Sequence, residues 1–187
     1  MVLLPVDELN ALSADLSIHF DEEGKIRSKQ DEEDIIDEML DLFLLAYANG
    51  TEAANTDLGT EVEVDYEAVE QVVFQVIAGE TWRDRVEKYY REGGTEYDIA
   101  RIAETDMTRI YNTAVLNVAD RVGGVMKRWE TMMDDRVRDT HDYLQDMVVP
   151  YDEDFYTFDG DHARAPGLFT LPENNINCRC TISLLRG

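Results

Sequence analysis

The stretch Val118-Ala119-Asp120-Arg121-Val122-Gly123-Gly124-Val125-Met126-Lys127-Arg128-Trp129 changes its period in the middle, and the fold turns on that change. Upstream of the glycines, Ile99, Ile102, Ala103, Met107, Ile110, Ala114 and Val118 recur every three or four residues. That is the spacing of one helix face, so a long helix is expected from Thr95 to Arg121. Two adjacent glycines end it, because glycine accepts the backbone conformations by which a chain leaves a helix. Downstream, Val125 to Trp129 suits a strand and Arg136 to Met147 a short helix, and the aromatic tail, punctuated by Gly and Pro, is strand-like. The expected class is α+β: a helical N-terminal half, a long helix, then a small antiparallel sheet with a short helix, closed by a strand that carries Cys178 and Cys180.

Working back from the long helix, residues 5–20 place Val6, Leu9, Leu12, Leu16 and Phe20 at helical spacing. Asp31 to Tyr47 repeats the pattern through Ile35, Ile36, Met39, Leu40, Phe43 and Leu44, with Asn49-Gly50 read as its end and residues 51–60 as a small polar loop. Tyr66 to Tyr90 reads as helix, with Val69, Val72, Val73, Val76 and Ile77 as its buried stripe and Gly79 as a candidate break. The Gly93-Gly94 hinge is the expected boundary between an acidic helical region, 1–94, and an α+β region, 95–187.

With 187 residues, 44% of them hydrophobic, the chain can bury a core without disulfide staples. Its 17 Lys and Arg against 41 Asp and Glu give a net charge of -24, a field that repels free nucleic acid and favours basic or cation-coated partners. The excess is uneven: residues 1–60 carry fifteen acids against three bases, residues 101–150 nine against seven. Direct nucleic-acid binding is therefore not expected of the acidic half. The run Asp31-Glu32-Glu33-Asp34 reads as a solvated helix face, with a DNA-mimic surface or a docking surface for a basic partner as the functional alternatives. No stretch approaches the roughly 20 apolar residues of a membrane span, and Met1-Val2-Leu3-Leu4 is followed by Pro5 and acids rather than a signal-peptide core. A cytoplasmic product without a membrane partner is expected.

Three polar clusters could carry chemistry. On the long helix Thr105, Asp106, Arg109 and Asn112 are read as one face, either a solvated strip or an inward network that docks the following strand. If residues 134–141 are helical, Asp134, Arg138 and His141 stack at i, i+4 and i+7, and His141 is a general base, a metal ligand or a hydrogen-bonded buttress. Cys178 and Cys180, the only cysteines, flank Arg179; they are read as pointing to opposite sides of a strand and bridging only with strain, which leaves buried thiols or metal ligands. Together with His141, and with His162 or Asp161, they offer the donor types of a zinc site, although a one-residue cysteine spacing is not that of ordinary zinc knuckles. Buried thiols packed under the sheet and no cofactor are the expectation, with zinc on His141, Cys178 and Cys180 as the alternative. Neither a Gly-x-Ser-x-Gly elbow nor a phosphate-cradling loop occurs.

Read in order, Ile102-Ala103-Glu104-Thr105-Asp106-Met107-Thr108-Arg109-Ile110-Tyr111-Asn112, then Lys127-Arg128-Trp129 through Asp134-Asp135-Arg136-Val137-Arg138-Asp139-Thr140-His141, then Ile176-Asn177-Cys178-Arg179-Cys180-Thr181, resemble the phage head morphogenesis family, the minor head proteins similar to the F protein of phage Mu. By position, the family motifs fall on Thr105, Asp106, Arg109 and Asn112; on Trp129, Asp134, Arg136, Arg138, Asp139 and His141; and on Asn177, Cys178, Arg179 and Cys180. The family often has Glu where this chain has Asp106, and an Asp-Gly-Gln turn where it has Asp142-Tyr143-Leu144-Gln145-Asp146.

The resemblance implies a minor component of a tailed-phage or prophage head, made in the host cytoplasm and incorporated into the virion during assembly. Its expected partners are portal, scaffold or major capsid protein, and it would be linked to DNA packaging or ejection. Enzymatic activity is not what it implies. Relatives also resemble small RNase-like toxin folds, so a metal-independent nuclease using His141 with Arg138 or Arg179 is the rival expectation.

Overall fold

Thr95 starts the long helix α5 (Glu96–Val122) with a capping box: its hydroxyl accepts the Asp98 N–H, and the Asp98 carboxylate accepts the Thr95 N–H at 3.0 Å. The computed structural model describes residues 4–187. Met1, Val2 and Leu3, part of the stretch read against a signal peptide, lie outside the described residues.

Four helices precede α5: α1 (Val6–Asp15), continued by a 3-10 turn at Leu16–His19, α2 (Lys29–Leu58), α3 (Tyr66–Val73) and α4 (Trp82–Glu92). The long helices α2 and α5 pack against each other, and one apolar cluster runs from Leu4 to Leu184 through Ile35, Met39, Phe43, Met107 and Ile110. Trp82 of α4 joins it with its ring edge-on to Phe43 at 5.0 Å and stacked on Phe74 at 6.0 Å.

Beyond Gly123, which caps α5, the chain forms β1 (Val125–Glu130), a one-turn helix α6 (Asp139–Asp142), β2 (Val148–Pro150), β3 (Phe155–Tyr156), β4 (His162–Ala163), a second one-turn helix α7 (Pro172–Asn175) and β5 (Thr181–Arg186). The sheet is antiparallel in the order β2-β1-β5, with Trp129 opposite Ile182 and Lys127 opposite Leu184; β3 and β4 form a separate ladder. The class is α+β. The sheet is fastened to α2 as well: Asp57 accepts the Leu184 N–H at 2.9 Å, and the Arg186 guanidinium donates to the Leu58 carbonyl. Among the described residues no helix is long and apolar enough to cross a membrane.

Several local expectations change. Asn49-Gly50 does not end the second helix, and residues 51–58 are helix rather than loop. Gly50 is there for proximity: a Cβ on it would lie 2.4 Å from the Tyr111 carbonyl oxygen of α5. The stretch from Tyr66 to Tyr90 divides into α3 and α4 around Ala78 and Gly79, both at positive φ, which leaves Val76 and Ile77 exposed rather than in the buried stripe. Only four residues of 136–147 are helical, so Asp134, Arg138 and His141 do not stack along one helix. In the acidic run, Glu32 is buried and paired with Lys29 at 2.8 Å, whereas Glu33 faces solvent.

Val125, Lys127 and Trp129 share the buried face of β1. Lys127 donates from Nζ to the carbonyls of Tyr151 (2.9 Å) and Glu153 (2.6 Å) beside the Phe155 ring. Burial pushes its ammonium down to about 8 from 10.5. Between those values the unfolded chain holds more protons than the folded one, so stability rises with pH across that window and gains nothing from Lys127 below it. Urea denaturation across the window should show this rise, and Lys127→Met should flatten it. Gly50→Ala should cost about 1–3 kcal/mol by overpacking the crossing with α5, despite a better helix propensity worth about 1 kcal/mol; the midpoint of the same denaturation curves reads it.

Candidate functional site

The terminal segment is docked on α5 by side chains one or two turns apart. Thr105 Oγ1 accepts the Asn177 N–H at 3.1 Å, and Thr108 Oγ1 donates to the Cys178 carbonyl at 2.6 Å. Asn112 donates from Nδ2 to the Cys180 carbonyl at 3.0 Å and accepts the Ile182 N–H through Oδ1, also at 3.0 Å. Helix side chains thus take the place of a neighbouring strand for a backbone that would otherwise be buried unpaired. Asn177 stands at φ 56, a left-handed conformation that asparagine tolerates better than most residues, and so turns the chain out of α7 onto this ladder.

Asp106 and Arg109, one position along and one turn on from Thr105, turn to other partners. The Arg109 guanidinium, 2% exposed, donates to the Val72 carbonyl at 2.8 Å, to Gln75 Oε1 at 2.9 Å and to Asp106 Oδ1, and Asp106 Oδ2 accepts from Arg85 at 2.6 Å. The four polar residues read as one strip therefore divide. Thr105 and Asn112 hold the tail, while Asp106 and Arg109 hold α3 and α4. Asp106, Arg109 and Asn112 are buried, so the solvated-strip reading fails.

The ladder presents Cys178 and Cys180 to His141. Both sulfurs approach the same ring nitrogen, Nδ1, at 3.5 and 3.7 Å, and all three side chains are buried. This corrects the expectation that the thiols point apart: residues i and i+2 of an extended chain line the same face, and it is Arg179 between them that points away. The pair precedes β5 rather than lying in it. A hydrogen bond from Cys180, then the imidazole, hold the Cys178 thiol well below its ordinary range, while Cys178 pushes Cys180 up.

An aromatic box surrounds the imidazole. Trp129 stands edge-on to it with centroids 5.3 Å apart, Phe169 stacks on it at 5.3 Å, and Trp129 meets Phe155 at 5.1 Å. Phe169 is fixed by Asn175, which accepts its N–H at 2.9 Å and donates to its carbonyl at 2.7 Å. Asp161 accepts the N–H groups of His162, Thr170 and Leu171, so it buttresses the loop and does not join the thiols. His162 is likewise elsewhere, 2.7 Å from Asp154. Thr108, Phe169 and Asn175 were missed by sequence reasoning; the one available signal for Thr108 was its place three residues after Thr105.

The remaining motif residues form a charged rim. Arg179 pairs with Asp134 at 2.8 Å, which lowers the Asp134 carboxyl, and lies 3.7 Å from Glu104; Arg136 meets Glu104 at 3.1 Å. Arg138, just before α6, donates to the Ile176 carbonyl at 2.6 Å, and Asp139 is exposed at the first position of α6. Between rim and thiols lies a void of about 10 Å³.

The sequence that builds this architecture, a long helix bolting a strand over a His-Cys-Cys cluster, is similar to known proteins. The family model for phage Mu protein F like proteins matches residues 67–183. The minor head protein GP7 of Bacillus phage SPP1 is 24% identical over 57% of this chain and 36% of its own length. An enterococcal protein, the NAD(+)--arginine ADP-ribosyltransferase EFV of Enterococcus faecalis, is 33% identical over 43% of this chain and 17% of its own length. The chain thus spans well under half of either relative. No solved structure matches it. The chain belongs to the phage Mu protein F-like family, a family of phage minor head proteins.

Removing the ladder's side chains should cost stability in order of the backbone groups they release. Asn112→Ala should lose about 2–4 kcal/mol and Thr108→Val about 1–2 kcal/mol, since each strands buried carbonyl or N–H groups. Thr113→Val, which only cuts a bond to the Arg109 carbonyl within α5, should be near neutral in the same chemical denaturation.

Proposed function

We propose that the chain is a minor head protein of a tailed phage or prophage, incorporated into the head during assembly in the host cytoplasm through contact with portal, scaffold or major capsid protein. The observation that carries this reading is the family match over residues 67–183, which contains every motif residue singled out in the sequence. A role in DNA packaging or ejection follows from that position in the head. The motif residues serve shape: they hold a terminal segment that has little sheet of its own. The acidic helices supply the docking surface, and Glu33, Asp37 and Asp41 line one exposed stripe of α2 at four-residue intervals.

The nuclease reading needs an open, basic site over His141. That imidazole is 1% exposed, and the void beside it has room for about one water, not a nucleotide. Arg179 is already paired with Asp134, and Arg138 with a backbone carbonyl. The ADP-ribosyltransferase activity belongs to the enterococcal relative, of which this chain matches a small part.

Co-expression of the chain with portal, scaffold and major capsid genes of its own phage tests the reading. The chain should co-sediment with the assembled heads. Reversing the stripe with Glu33→Lys, Asp37→Lys and Asp41→Lys should reduce its incorporation at least about tenfold, a loss of the order of a few surface ion pairs, at an unchanged melting temperature. RNA cleavage by the purified chain that disappears in His141→Phe without loss of stability would hand the case to the nuclease.

A further inference from the structure

His141 is an imidazole whose polar needs the protein does not meet. Its Nδ1 faces two sulfurs at 3.5 and 3.7 Å, yet one ring nitrogen has a single lone pair or a single hydrogen to offer, and thiols are weak partners for either. Burying a polar ring on those terms is costly. The arrangement makes better sense as a set of ligands with a common centre.

The spacing fits that centre. Donor atoms of His141, Cys178 and Cys180 all lie within 4.8 Å of one another. With Zn–S near 2.3 Å and Zn–N near 2.0–2.1 Å, a tetrahedral ion holds a sulfur and a nitrogen ligand about 3.5–3.6 Å apart, and the two observed separations are 3.5 and 3.7 Å. The donors are also preplaced: α5 grips the Cys178 and Cys180 carbonyls, and Trp129 and Phe169 fix the imidazole plane. We propose that His141, Cys178 and Cys180 bind one zinc ion, with a fourth, exchangeable water ligand in the void bounded by Met132, Arg138 and Asn177.

The fourth position is open, but the void beside it holds about one water and leaves no room for a substrate, so the ion's role would be to hold structure together. Two thiolates neutralise the ion, the aromatic box keeps bulk water from one side, and the cation ties α6 to the segment that α5 holds. Metal binding would therefore be part of the stability of the C-terminal region. The inference does not depend on what the chain does in a head.

Cobalt(II) is the probe, because tetrahedral thiolate-bound cobalt absorbs intensely in the visible and ultraviolet, whereas cobalt held by the many surface carboxylates is octahedral and pale. The full chain, stripped with a chelator under reducing conditions and titrated with cobalt, should develop the tetrahedral bands with one ion per chain. Zinc should bleach them. Because Cys178 and Cys180 are the only cysteines, sulfur-to-cobalt charge transfer can come from nowhere else. Cys178→Ser and Cys180→Ser should each weaken retention at least about tenfold; His141→Cys should keep the bands with stronger charge transfer, and His162→Ala should leave them unchanged. Pale octahedral spectra from the folded wild-type chain, or bands that survive in the double serine variant, would overturn the proposal, and the wild-type spectrum decides even if the variants fail to fold.

Discussion

A backbone segment that lacks a neighbouring strand has to find donors and acceptors elsewhere, and here it finds them on one helix. Thr105, Thr108 and Asn112 satisfy the main chain of residues 177–182 along α5. With that ladder in place, β5 enters the sheet in register beside β1, the thiols turn to His141, and Arg179 is left outside to meet Asp134 and Glu104. Without it, three buried peptide groups and one half-buried one would be unpaired, each at a cost of about 1–3 kcal/mol.

Beside that ladder, α5 does comparable work for the helical half. Arg109 reaches the C-terminal end of α3 through the Val72 carbonyl, and Asp106 draws in Arg85 of α4. Burial disfavours the charged guanidinium and lowers it from its ordinary value, and the Asp106 carboxylate and two neutral acceptors are what make its place in the core tolerable. The same helix thereby joins two kinds of structure: apolar packing with α2 along its length, and two interleaved sets of polar attachments to different partners.

The α+β class and the start and stop of α5 were legible because each rests on a local signal: a clean apolar period, a Thr95–Asp98 cap, a glycine pair. Gly50 was misread since its meaning is tertiary; nothing local distinguishes a glycine that ends a helix from one that lets another helix touch it. Residues 136–147 carry helical composition but are needed as a turn that brings His141 inward, so tertiary demand overrode propensity. The cysteines were misjudged for a different reason. A strand repeats every two residues, so their spacing already places both thiols on one face. The polar helix residues were gathered correctly onto one side of α5, but nothing local shows that they serve partners as different as Gln75 and Cys180.

The tie between Asp57 and Leu184 spans 127 residues of chain, and the Asn112 bonds to the tail span about 70. A ribosome delivers α2 and α5 long before it delivers their last partner, so during synthesis the helical pair must wait with the seat for β5 vacant. Such distant closures make for slow folding. The nascent helices therefore present an acidic, half-finished body to the cell, one whose own repulsion keeps copies apart until the final strand arrives.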